Sequence, residues 1–206
     1  MKRQEQMILT ARIVSMLFTP FYLPILGLAT LFMFSYLSMF PLIYKIQVLT
    51  LTYLFTILMP TLLIHLYRRY QGWNLIELGQ RERRMVPYII SITCYFTCIY
   101  VMERLHMPHF MSSIIVAALL VQMICALINI WWKISTHTAA IGGVGGALFA
   151  FSFYLGFNPV WWLCLVFLTA GILGSCRMIL RQHNLAQVVV GFWVGGFCAA
   201  TAILLF

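Results

Sequence analysis

Residues 134–176 read ISTHTAAIGGVGGALFAFSFYLGFNPVWWLCLVFLTAGILGSC, without one Asp, Glu, Lys or Arg. A helix that crosses about 30 Å of hydrocarbon needs about 20 apolar residues, so this stretch is long enough for two crossings. The turn signal Gly156-Phe157-Asn158-Pro159 divides it, because proline lacks an amide donor and disfavours helix at the residue before it. Two helices folded back on each other within lipid set the class as an all-α, polytopic transmembrane bundle.

Working outward, further charge-free stretches lie at 13–44, 46–67, 85–102, 105–132 and 182–206, each fitting one span. The expected spans fall at 13–37, 47–67, 86–103, 110–132, 138–157, 160–176 and 185–206, about seven in all (six to seven). Composition agrees: of 206 residues 63% are apolar and only 8% charged, too little polar surface to cover a water-soluble core. Lys2 and Arg3 precede an apolar run, but the run is too long for a secretory signal and no small-residue cleavage pattern closes it. No linker, repeat or low-complexity segment interrupts the chain, which reads as a single domain, 1–206. Cys94, Cys98, Cys125, Cys164, Cys176 and Cys198 all fall in or beside spans without a metal-type CxxC pair, and read as small apolar fillers.

Numbering the spans in order puts the connections 1–12, 68–85, 133–137 and 177–184 on one face. That face holds Lys2, Arg3, Arg12, Arg68, Arg69, Arg81, Arg83, Arg84, Lys133, Arg177 and Arg181, which is 11 of the 13 basic residues; Lys45 and Arg104 are left for the other. The positive-inside rule, at face value, turns the loaded face to the cytoplasm. Three segments at helix ends on this face carry nearly everything reactive: residues 80–87 (QRERRMVP), Lys133-Ile134-Ser135-Thr136-His137, and Cys176-Arg177 followed after five residues by His183.

Two histidines among arginines and a lysine, with no acidic cluster, are poor parts for a metal site and good parts for a phosphate. Guanidinium donors match phosphate oxygens, and Ser135 with the amides at the start of the following helix adds neutral donors. One imidazole can attack phosphorus while the other protonates the departing oxygen. His65, His106 and His109 lack basic neighbours at such spacing and read as interfacial.

These segments resemble the type 2 phosphatidic acid phosphatase superfamily of membrane lipid phosphatases. Its three motifs are a Lys, six residues and Arg-Pro; Pro-Ser-Gly-His; and Ser-Arg, five residues, His, three residues, Asp. The third is matched by Cys176-Arg177, His183 and Gln187, the second by Ile134-Ser135-Thr136-His137, and the first loosely by Arg81 and Arg84 leading to Pro87. The resemblance implies that His183 is a nucleophile forming a phosphohistidine and His137 the acid for the leaving group. It also implies that Arg177, Ser135, Lys133, Arg81 and Arg84 hold phosphate oxygens. Gln187 stands where the family has an Asp that accepts a hydrogen bond from the nucleophile.

The expected activity is therefore metal-independent hydrolysis of a lipid phosphate or diphosphate, with no cofactor, no nucleic-acid partner and the bilayer as solvent. The expected location is the inner, plasma membrane of a bacterium. Family members in bacterial membranes hold the site outside the cytoplasm, and arginines that bind phosphate inflate the basic count, so that count does not decide the side. Two alternatives compete: an inactive lipid-phosphate-binding member of the same fold, and a small anionic-lipid transporter. The latter is disfavoured by the lack of charge within the spans. Gly142 to Gly146 form no phosphate loop, lacking its Lys-Ser/Thr ending; with Gly191 and Gly195 they read as close-packing faces between helices.

Overall fold

A computed structural model describes residues 2–34, 36–72 and 85–205, and among them it is helical throughout with no strand. We number eight helices: α1 Lys2–Leu17, α2 Leu23–Phe34, α3 Leu42–Gln71, α4 Met85–Arg104, α5 His109–Trp131, α6 Thr136–Leu155, α7 Val160–Ile179 and α8 Leu185–Leu205. Six of them, α3 to α8, are long and apolar enough to cross a membrane. Their outward faces carry large apolar side chains such as Phe96, Leu168 and Phe197, each more than 60% exposed, as a lipid-solvated surface requires. The chain is a membrane protein.

The expected first span, 13–37, is not one helix. α1 stops at Leu17, the chain turns through Phe18–Tyr22, and a 12-residue α2 follows. Pro20 is the reason: it cannot donate into the helix and it biases Thr19 away from helical dihedrals. Pro60 acts more gently within α3, where the helix widens into a π turn over Leu54–Leu58 directly before it. The turn at 156–159 is as read, with Gly156 left-handed at φ 62 closing α6 and Asn158 Oδ1 accepting from Val160 N at 3.0 Å to open α7.

α5 is the axis of the bundle: 56% of its spanning window is buried, against 28–33% in the other five. It packs against α4, α6 and α8, while α7 covers α6 on one side and α1 covers α7. The chain crosses alternately. α6 begins, α7 ends and α8 begins at one face, which is also where α1 leads into the bundle.

Candidate functional site

The two histidine-bearing helices are joined at their backbones. A Cβ on Gly195 of α8 would collide with the carbonyl of Ala139, and one on Gly146 of α6 with that of Gly196. Small residues at these points let α6 and α8 approach to main-chain contact. Above this seam the Ser135 amide donates to the Gln187 carbonyl at 3.4 Å, tying the loop before His137 to the first turn after His183.

Both helix starts are capped. Ser135 Oγ accepts from Thr138 N at 3.5 Å, so this fully buried hydroxyl serves the α6 N-terminus. At α8, Asn184 Oδ1 accepts from Gln187 N at 2.9 Å while Gln187 Oε1 accepts from Asn184 N at 3.3 Å, a reciprocal capping box. Gln187 Oε1 also meets His183 Nδ1 at 3.0 Å. The Asn184 amide can only donate, so the atom it meets is the amide oxygen, and the same oxygen takes the proton of His183 Nδ1. His183 Nε2 is thereby left with the lone pair, on a ring only 6% exposed.

Arg177, on the last turn of α7, is also only 6% exposed, and its Nη1 donates to Ser15 Oγ of α1 at 2.7 Å. Around this contact opens a cleft of ≈ 840 Å³ whose polar lining includes Arg12, Ser15, Thr19, His137, Arg177 and Arg181. No acidic side chain is among the described residues that line it. α7 ends in a Schellman motif, with Gln182 N donating to Arg177 O at 3.1 Å and Arg181 N to Met178 O at 2.9 Å. The left-handed position of that motif, where glycine is ordinary, is occupied by Arg181 at φ 52. An L-residue there costs about 1–2 kcal/mol.

A smaller apolar cavity of ≈ 120 Å³ is lined mainly by α2, α5 and α6 residues, among them Leu23, Ile114, Thr136 and Phe151, together with Pro20 of the turn before α2. Chain neighbours serve the two spaces: Thr19 lines the cleft and Pro20 the cavity, as His137 lines the cleft and Thr136 the cavity.

Of the residues singled out from sequence, His137 and Arg177 come together on the cleft, whereas the buried His183 pairs with the half-buried Gln187 at the head of α8 and neither is among the residues lining the cleft. Ser135 sits within the α6–α8 seam. Lys133 is half-buried in the connection before α6. Arg81 and Arg84 lie outside the described residues. The structure adds two residues of α1 that sequence reading did not place at the site: Ser15 anchors Arg177, and Arg12, counted only as a loop charge, lines the cleft. Their signal was present as polar residues at 12, 15 and 19, one face of a helix at spacings of three and four. His65, His106 and His109 are exposed at helix ends away from the cleft.

Comparison of the chain with family models, with curated proteins and with solved structures finds no match. What the site offers rests on its own residues and on what they can do together. They amount to an oriented imidazole with a basic Nε2, a second imidazole on a cationic cleft, and an anchored guanidinium between two helices.

Proposed function

We propose that this protein is an integral membrane phosphatase that hydrolyses a lipid phosphate or diphosphate through a phosphohistidine. The observation that carries the reading is the Gln187–His183 bond, which fixes the tautomer a nitrogen nucleophile needs. His183 Nε2 attacks phosphorus and the bond from phosphorus to the leaving oxygen breaks. His137 gives that oxygen its proton, and water then hydrolyses the phosphohistidine to free phosphate. Arg177 stabilises the equatorial oxygens of the transition state, and the positive end of α6 lies beside His137. Lys133, Ser135, Arg81 and Arg84 complete or support this cradle in the family pattern. The apolar cavity, lined by chain neighbours of the cleft residues Thr19 and His137, supports a lipid substrate by offering hydrocarbon a place. A bacterial plasma membrane is the setting this activity fits.

Phosphate release by the purified protein across a panel of lipid phosphates and diphosphates tests the reading. Turnover is expected with at least one of them, and His183→Ala should lower it at least about 10³-fold and abolish acid-labile phosphate trapping on the protein. Undiminished turnover in His183→Ala would refute the mechanism. The neutral Gln187 in place of a carboxylate favours one other reading, a binder of lipid phosphates without turnover, which predicts saturable binding and no release.

A further inference from the structure

The apolar cavity is long and thin. Its wall on α6 runs from Thr136 through Ala140, Gly143 and Ala147 to Phe151, one face of a helix over fifteen residues and so ~22 Å deep. A volume of ≈ 120 Å³ drawn out over that depth takes one hydrocarbon chain and not two abreast. Two polar side chains interrupt it half-way. Gln122 lies nine residues before the end of α5 and Tyr95 ten after the start of α4, ~14 and ~15 Å below the face where Asn129 and Met85 meet at 3.9 Å, and thus near the middle of a core about 30 Å thick. Both line the cavity, and each is more than nine-tenths buried. The Gln122 amide stands within reach of the Tyr95 hydroxyl, which nevertheless completes no hydrogen bond among the described residues. Within a membrane no water stands by to take up that hydroxyl, so its partner is left to an occupant of the cavity.

We infer that the cavity binds a single lipid chain carrying a hydroxyl near its middle, with that hydroxyl lodged against Gln122 and Tyr95. Position decides between chains. Gly143 marks the level of the pair on α6, since a Cβ there would meet Val121, the neighbour of Gln122, at 3.7 Å. From Gly143 the wall continues seven residues to Thr136 and eight to Phe151, ~10 and ~12 Å, so a hydroxyl at the end of a chain would leave half the cavity unfilled. Chemistry decides the group. A hydroxyl donates and accepts, as the pair can between them, whereas a charged group would meet no counter-ion, because no charged side chain is among the described residues that line the cavity. The site stands on the cavity alone; under the phosphatase reading it names the kind of tail the substrate brings.

The full-length protein in detergent is labelled with a photoreactive octadecanoate, and the label on cavity residues is competed with octadecanoate, 2-hydroxyoctadecanoate and 10-hydroxyoctadecanoate. The two hydroxylated acids have the same composition and differ only in where the hydroxyl sits. The 10-hydroxy acid should compete at about fivefold lower concentration than either of the others, the share of one neutral hydrogen bond. Gln122→Leu should erase that advantage and leave the affinity for octadecanoate as in the parent, and Tyr95→Phe should reduce it. Equal competition by the two hydroxylated acids, label falling outside the cavity, or an advantage that survives Gln122→Leu would overturn the site; the first would leave the pair to a bound water. Should Gln122→Leu fail to fold, seen as loss of monodisperse elution, the comparison of the three acids on the parent decides alone. Binding needs no turnover, so absence of phosphate release would remove the phosphatase reading and leave this site standing, and equal competition would do the reverse.

Discussion

The cleft lies between two helix pairs that are held by opposite means. α6 and α8 touch main chain to main chain along a run of glycines, and their N-terminal turns are stitched by the Ser135–Gln187 bond. α1 leans on α7 through one buried hydrogen bond, Ser15 to Arg177, beside the packing of Val14 on the Val166–Leu173 cluster, and residues 4–10 of α1 are all exposed. The difference suits the chemistry proposed for each pair. In-line attack and proton transfer would tolerate little displacement, and the two imidazoles stand at the head of the pair held main chain to main chain. A guanidinium acts through charge over several ångströms and can be carried by a looser helix.

The sharpest way to break the contrast is to make one substitution in two places. Gly195→Ala puts a methyl into the Ala139 carbonyl, backbone against backbone, where no side chain can give way. We expect a loss of at least about 3 kcal/mol, seen as a collapse of the thermal midpoint and of monodisperse yield in detergent. Gly171→Ala on α7 meets nothing within 4 Å, and its midpoint should stay within about 1 kcal/mol of the parent or rise, since alanine is the better helix former. Equal behaviour of the two would show that the seam is not the rigid element.

A smaller effect tests what the seam holds. Gln187→Leu removes the acceptor of His183 Nδ1, and kcat should fall about 10²-fold, less than the roughly 10⁴ lost when the charged partner of a catalytic histidine is neutralised. KM should hardly move, and the thermal midpoint should shift only by the lost half of the capping box, about 1 kcal/mol. Gln187→Glu keeps the acceptor, adds the charge that steadies an imidazolium, and should restore or exceed parental kcat. An inert Gln187→Leu would mean that His183 is oriented by something else.

How much of this the sequence carried follows the same division. The spans from 42 onward were legible because lipid demands uninterrupted apolar length, and the α6–α8 seam because glycines four apart have few other uses in a membrane helix. His137, Arg177, His183 and Gln187 were legible because the spacing of three or five residues after a helix end is a local property. The α1–α7 contact was not. It joins residues 162 positions apart, and its polar partner, Ser15, sits in what charge counting alone presents as an ordinary apolar span. Pro20 marked the break, but a proline in a long apolar stretch reads equally well as a kink, and only the packing of α2 against α5 and α6 resolves it into a stop.

The smallest effect bears on the looser pair and carries opposite signs in its two readouts. Arg181 occupies the left-handed position closing α7, where glycine avoids the clash of Cβ with the neighbouring carbonyl. Arg181→Gly should therefore raise stability by about 1 kcal/mol, offset in part by the greater freedom of glycine in the unfolded chain, and the Schellman bonds should persist. The same change removes a guanidinium from the rim of the cleft, so turnover of the lipid phosphate at limiting concentration should fall. A variant that is more stable and less active would show that the strain at Arg181 is retained for its charge. One that is more stable and equally active would make Arg181 a bystander, and would leave Arg12 and Arg177 as the guanidiniums of the cleft.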